Sequence, residues 1–159
     1  TSLPVENFQE AKNIAHLYTL RWKIEEYFKV LKSGCNVEKC RLNDVEKLKK
    51  YLALFSIIAW RLFWLTLVQR ASPESSAECI LSSQEWRLLK KKYDTSADQR
   101  DVPPTVKQVF TWIARLGGYL ARNSDGPPGT TSIWRGWSRL QDMILGQKLN
   151  DKFKLMGNS

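Results

Sequence analysis

Apolar residues recur at helical spacing near the start of the chain. They stand three or four positions apart, at Leu17, Leu20, Ile24, Phe28 and Leu31. At about 100° per residue these side chains fall within an arc of roughly 80°, which is the width of a face that packs on a core. The pattern therefore predicts one helix over residues 8–32 with this face directed inward.

Four polar side chains form a second stripe beside that apolar face. Tyr18, Arg21, Glu25 and Lys32 lie within about 60° of one another around the helix. A carboxylate between two cations and a phenol can bind a divalent metal while its neighbours hold phosphates. The same spacing fits a solvated surface on which Glu25 pairs with Arg21 or Lys29, one turn away. The helical pattern alone leaves both interpretations open.

Four further helices are expected, over residues 43–69, 83–93, 105–121 and 130–149. The small, polar, proline-containing segment 71–76 is the predicted domain boundary. Two stretches are expected to be non-helical, an extended start at residues 1–4 and a polar linker at 94–102. Within the fourth helix, Gly117 and Gly118 indicate either the close approach of another backbone or a kink.

The second helix is apolar around nearly its whole circumference from Leu52 to Val68, so most of it is expected to be buried. Its large apolar side chains are assigned to the core, namely Trp60, Phe63, Trp64 and Leu67. Arg61 stands among them and needs a carboxylate or a phosphate as its partner. The charge-free run 51–60 is shorter than the roughly 20 residues of a bilayer span, which also favours a buried helix.

The fifth helix is apolar on more than one side. One face carries Ile133, Trp137, Leu140 and Ile144 within roughly 60° of arc, and Trp134 lies on a second face. A terminal helix of this kind either lies deep in a core or shares a face with a partner, for which a two-fold pairing is the simplest geometry. We expect these five residues to form a homodimer contact, and packing on the second to fourth helices alone is the alternative.

The composition favours a polyanionic partner. The chain has 25 Lys and Arg against 16 Asp and Glu, a net charge of +9, and an excess of this size is typical of proteins that bind nucleic acid. Three cysteines and one histidine give neither a disulfide framework nor a zinc motif, which fits a reducing cytoplasm.

The spacing Tyr-x2-Arg-x3-Glu-x6-Lys of the polar stripe resembles the signature of the bacterial cut-and-paste DDE transposases, in particular their Tn-five-like branch. The surrounding sequence YTLRWKIEEYFKVLKSG and the later stretch IARLGGYLARNSDGPPGTTSIWRGWSRLQ resemble the same family. In that family a ribonuclease-H-like fold supplies two Asp and one Glu. These bind two divalent ions, Mg²⁺ or Mn²⁺, for phosphodiester hydrolysis and strand transfer.

The resemblance implies a role for each residue of the signature. Glu25 corresponds to the catalytic, metal-binding Glu, and Arg21 and Lys32 correspond to residues that hold the DNA near the cleaved end. Tyr18 lines the same site. No Asp precedes Asp44 in this chain, so the two Asp of the triad have no counterpart, and no catalysis is expected from this chain by itself.

The resemblance also implies a mainly α fold in two parts, which would make the chain a C-terminal fragment of a transposase. Residues 1–70 are expected to be the helical end of the ribonuclease-H-like catalytic domain, and residues 71–159 an all-α dimerisation domain. The implied partners are double-stranded DNA and a second copy, at the bacterial nucleoid in the cytoplasm and without a membrane. An autonomous all-α nucleic-acid-binding or protein-assembly module would explain the charge and the helices, but not the signature.

Overall fold

The computed structural model describes residues 4–94 and 101–157, most of which lie in helices. The α-helices α1 to α5 are, in order, Phe8–Lys29, Val45–Ala71, Ser83–Tyr93, Val106–Leu116 and Thr130–Gly157. Short turns lie between them, a π turn at Val30–Gly34 and 3₁₀ turns at Val37–Lys39 and Ala77–Cys79. The described residues form no strand beyond one isolated bridge between Ser76 and Thr105. The prediction of a mainly α fold is confirmed.

Two expectations fall largely on residues that are not described. They are the extended start at residues 1–4, of which only Pro4 is described, and the polar linker at 94–102, whose positions 95–100 lie outside the described ranges.

Reciprocal side-chain caps fix the starts of α3 and α4. Ser82 accepts a hydrogen bond from the backbone N–H of Glu85, whose carboxylate accepts one from the backbone N–H of Ser82. Thr105 and Gln108 repeat this arrangement at α4. Each capping box satisfies backbone donors that the first turn of a helix leaves without a partner, so the two helices begin where the sequence predicts them.

The core lies where α4 crosses α5. Val109 and Ile113 of α4 and Leu140 of α5 are fully buried. A β-carbon on Gly117 would lie 1.8 Å from the carbonyl oxygen of Ser132, so the two backbones touch at this point. Of the two explanations that the glycine pair allowed, close backbone approach is the one the structure shows.

The glycine pair also ends α4 earlier than the predicted residue 121. The helix ends at Leu116, and Gly118 takes a left-handed conformation with φ of +96°. Arg139 of α5 donates a hydrogen bond to the carbonyl oxygen of Leu116, which satisfies an acceptor that the helix end leaves open.

The apolar face of α1 is exposed, which corrects the prediction that this face packs on a core. Leu17 is 58% exposed and Ile24 is 56% exposed, Leu20 and Phe28 are also exposed, and Leu31 is partly buried. None of the residues of α1, all of which are described, is buried. A periodic pattern shows which face of a helix is apolar, but it does not show which layer covers that face.

The apolar residues of α2 are divided between the core and the surface. The buried ones are Ala59, Leu62, Phe63 and Leu65. Trp60 and Trp64, which were predicted to be core, are exposed on the other side of the helix, and Leu67 is partly buried. By length and composition α2 could cross a membrane, but a core helix passes the same test. The four buried residues place one side of α2 in the core of this chain.

Candidate DNA and metal site

Tyr18, Arg21 and Glu25 form a continuous row of contacts along α1. Arg21 Nη1 lies 3.1 Å from Glu25 Oε1, and the guanidinium carbon lies 5.0 Å from the centre of the Tyr18 ring. The two charged side chains are 57% and 43% exposed, so their ion pair contributes little to stability. Arg21 can therefore exchange the carboxylate for a phosphate oxygen, which accepts hydrogen bonds from a guanidinium in the same way.

Lys32 has a different partner from the other three signature residues. The α-helix widens into a π turn at Val30–Gly34, and Lys32 Nζ lies 3.1 Å from Glu38 Oε1 of the following 3₁₀ turn. A π turn holds more residues than the 3.6 of an α-helix, so the angle predicted for Lys32 does not apply. Asn36, two residues after this turn, takes a left-handed conformation with φ of 53°.

Glu26 and Arg70 join α1 to the end of α2. Arg70 Nη1 lies 2.7 Å from Glu26 Oε1, and the Glu26 side chain is 26% exposed. This pair borders a cavity of about 320 Å³ whose lining residues are Trp22, Glu25, Glu26, Lys29, Val30, Phe63, Thr66, Arg70 and Thr130. The sequence gives no signal for the pair, because 44 positions separate its members. The carboxylate of Glu26 and the cations of Lys29 and Arg70 therefore line the same cavity as Glu25.

The carboxylates of the described residues do not by themselves hold a metal ion. Among these residues no group of three His, Cys, Asp or Glu side chains lies close enough to coordinate one. Glu25 offers one exposed carboxylate, whereas a two-metal site needs several oxygen ligands that converge on the ions. Glu25 can therefore supply one ligand to such a site, and the described residues do not complete it.

The residues predicted to pair two chains are turned into the core of this one. Ile133, Trp137, Leu140 and Ile144 are buried, and the partly buried Trp134 packs on Phe55 of α2 with 6.0 Å between the ring centres. This packing on the chain's own helices is the alternative that the sequence left open. The side chains that face inward leave little surface for a second chain.

The exposed apolar residues of α5 follow this buried part along the helix, which continues past the predicted residue 149 to Gly157. They form a row that we call the distal stripe, made of Leu145, Leu149, Phe153 and Met156. Their exposed fractions are 59%, 50%, 71% and 68%. Spaced by four, four and three positions, they fall within roughly 80° of arc. The spacing alone could have identified this stripe.

Comparison with protein families decides the identity of the chain. Residues 57–156 match the family model of the Transposase Tn5 dimerisation domain. The chain belongs to this family. Residues 2–61 match the Transposase DDE domain, so the two matches together span nearly the whole chain. They confirm that it is part of a Tn5-like DDE transposase, as the signature predicted.

For a Tn5-like transposase, these matches imply that it uses divalent metal, acts on DNA and forms pairs. DDE domains work with divalent metal ions and act on DNA, and a dimerisation domain implies that two chains pair.

The two matches overlap at residues 57–61, within α2. The boundary at 71–76 stays a prediction, since α2 continues without a break as far as Ala71.

Proposed function

We propose that this chain carries the catalytic glutamate and the pairing helix of a transposase that excises and inserts DNA by two-metal phosphodiester chemistry. Glu25 is the metal-binding carboxylate in this proposal. The observation that carries it is the exposed Tyr18–Arg21–Glu25 row within the part that matches a DDE domain. When bound, Mg²⁺ or Mn²⁺ would activate the attacking oxygen, and Glu25 would supply one oxygen ligand.

The cations of the signature bind the DNA backbone next to this carboxylate. Arg21 and Lys32 are both held in exposed ion pairs, with Glu25 and Glu38. Such pairs open at low cost. A phosphate then replaces the carboxylate on each cation, and Tyr18 supports the guanidinium of Arg21 through its ring. The net charge of +9 attracts DNA over a longer range and makes the binding dependent on salt.

The exposed apolar face of α1 packs on the rest of the catalytic domain. Leu17, Ile24 and Phe28 form its centre, and Trp60 and Trp64 add exposed apolar surface on α2. A patch of this kind is unusual on a free surface and is typical of an interface. The sheet of a ribonuclease-H-like fold, which the described residues lack, needs a helical layer of this kind on its face.

Two chains pair through the distal stripe of α5. The five residues first predicted for this contact are committed mainly to the core of the chain, whereas Leu149, Phe153 and Met156 are exposed. Burying four apolar side chains from each of two helices is the simplest two-fold contact that this helix can form. A paired transposase holds two DNA ends at once, and we place this activity at the nucleoid of the bacterial cytoplasm.

The experiment that tests the catalytic proposal replaces Glu25 by Gln in a transposase that contains this chain. Gln keeps the shape of the side chain but removes the charge that binds the metal. We expect Glu25→Gln to lose at least about a thousandfold in cleavage with Mg²⁺, while its affinity for the DNA ends stays within about threefold.

Glu26→Gln is the matched control, because the same change occurs one position along the helix. It removes the ion pair with Arg70 but no metal ligand, so cleavage should remain within about tenfold of wild type. If Glu25→Gln also cleaves within about tenfold of wild type, Glu25 is not a metal ligand.

A further inference from the structure

Glu85 is a buried charged residue at the meeting point of three helices. It is 4% exposed, and among the described residues it is the one charged side chain that is buried. Its Oε2 accepts hydrogen bonds from the backbone nitrogen and the hydroxyl of Ser82 at 2.8 and 2.9 Å. Its Oε1 accepts one from Gln141 Nε2 of α5 at 2.9 Å, and Arg61 Nη2 of α2 lies 3.4 Å away. We call this network the Glu85 junction.

Arg61 connects the junction to α5 a second time. Its guanidinium carbon lies 4.6 Å from the centre of the Trp137 ring, one turn before Gln141 on the same helix. The arginine therefore contacts a carboxylate of α3 and an aromatic ring of α5 at once. A buried charge is tolerated only in an arrangement that satisfies it, so a network of this kind selects one relative placement of the helices.

The same helix that carries Arg61 also carries the contacts to α1. The Tyr27 hydroxyl donates a hydrogen bond to the carbonyl oxygen of Ser56 at 3.3 Å, and Arg70 pairs with Glu26. Ser56 and Arg70 lie on either side of Arg61 along α2. Because α2 has 27 residues and is about 40 Å long, it forms a stiff connection between α1 and the junction.

We infer that the Glu85 junction is a positioning element that fixes α5 relative to α2, and thereby fixes the Glu25 carboxylate relative to the pairing helix. Arg61, Glu85 and Gln141 are positioning residues, since their described contacts are with one another, Ser82 and Trp137. In a paired transposase the junction sets the separation of the two Glu25 carboxylates. The consequence for cleavage rests on the proposed function, but the geometry of α1 and α5 does not.

The test measures the distance between α1 and α5 directly. Spin labels are attached to Lys23→Cys on α1 and Lys148→Cys on α5, both exposed positions, in a chain whose three natural cysteines are replaced by alanine. The labelled chain is diluted with unlabelled chain so that distances within one chain dominate. Glu85→Gln removes the charge that Arg61 requires, and we expect the distance distribution to widen about twofold.

Glu46→Gln is the matched control, because it breaks an exposed ion pair with Lys49 on the same helix α2. It should leave the distribution unchanged. Gln141→Ala provides a second variant. It removes one hydrogen bond to Glu85, while Glu85 keeps its ion pair with Arg61 and its hydrogen bond from Ser82. It therefore tests the junction even if Glu85→Gln does not fold. An unchanged distribution in a folded Glu85→Gln chain, or in Gln141→Ala, means that the junction only contributes stability and overturns the inference.

A second measurement separates this inference from the catalytic proposal. In the complete transposase, Glu85→Gln should lower cleavage of two paired ends about tenfold, while the affinity for a single DNA end stays within about twofold. If Glu25→Gln remains active but Glu85→Gln still widens the distances between the labels, the catalytic assignment fails and the positioning element stands. If the distances widen while Glu25→Gln is inactive and paired-end cleavage is unchanged, the junction fixes the helices but does not position the reaction, and the part of the inference that concerns cleavage fails.

Discussion

Gly117 and Gly136 lie back to back where α4 crosses α5. A β-carbon on Gly136 would lie 3.0 Å from the backbone nitrogen of Gly117 and 1.7 Å from the carbonyl oxygen of Ile113. Both neighbours are backbone atoms, which cannot move aside as a flexible side chain can. The two glycines therefore set the closest approach of the helices that form the core.

Gly136→Ala should destabilise the chain by about 3 kcal/mol or more, because the added methyl group forces the two helices apart. Gly146→Ala is the matched control in the same helix, where a β-carbon meets open space. There the helix propensity of alanine should stabilise the chain by up to about 1 kcal/mol. The measurement is chemical denaturation of both variants. Equal stability of the two would show that α4 and α5 do not touch at Gly136.

Arg21→Ala and Lys32→Ala should each reduce transposition without unfolding the protein. Their ion pairs are exposed, so the expected loss of stability is at most about 1 kcal/mol, whereas the loss of a phosphate contact acts on DNA binding directly. The measurement compares the thermal midpoint with the activity of each variant. Lys107→Ala on α4 also opens an exposed ion pair, and this variant should keep both its thermal midpoint and its activity. A large fall in the midpoint of either signature variant would show that its residue is structural.

Short-range features of this fold could be predicted from the sequence because each depends on neighbouring residues. The capping box of Ser82 and Glu85 requires two residue types three positions apart, and it fixes the start of α3. The prediction that Arg61 needs a carboxylate or a phosphate is confirmed by Glu85. The row from Tyr18 to Glu25 likewise follows from helical spacing.

Features that depend on distant residues or on the packing of one layer on another could not be predicted. The pair of Glu26 and Arg70 joins residues 44 positions apart. The exposure of Leu17 and Trp60 depends on which layer covers these helices, and periodicity carries no such information. The partner of Lys32 depends on a local π turn, which a helical wheel of constant pitch cannot represent.

The Cys35 thiol should make the stability of the chain sensitive to alkaline pH. Burial raises its pKa from 9.0 to about 11, so between these values the folded chain keeps a proton that the unfolded chain has lost. The free energy of unfolding should therefore be unaffected by this group below pH 9.0 and should fall as the pH rises from 9.0 toward about 11.

The variant that isolates this effect is Cys35→Ala, compared with wild type by denaturation at a series of pH values. Burial also raises the pKa of Tyr51, but that residue is present in both proteins, so the difference reports mainly on Cys35. The exposed Cys79 should react with iodoacetamide in the folded chain at pH 8, whereas Cys35 should not. Identical slopes of stability against pH in the two proteins would contradict the prediction.

Leu149→Glu should prevent two chains from pairing while leaving each chain folded. Leu149 lies in the middle of the distal stripe and is 50% exposed, so a charge there is solvated in the single chain but would be buried between two helices. Gln147→Glu introduces the same charge on the opposite side of α5, about 160° from the centre of the stripe, and should pair like wild type. Light scattering at high micromolar concentration measures the mass of each variant.

The isolated chain has a second apolar surface on α1 and α2, and the same experiment separates its contribution. Ile57 on α2 is 63% exposed, and Ile57→Glu places a charge on that surface. If pairing uses the distal stripe, Ile57→Glu chains remain dimers and Leu149→Glu chains are monomers. The two variants should then have equal thermal midpoints at low concentration, because each single chain stays folded. If instead Ile57→Glu abolishes association and Leu149→Glu does not, the contact lies on the face that we assign to the catalytic domain. The distal stripe would then need another partner, because an exposed row of four apolar side chains is unusual on a free helix.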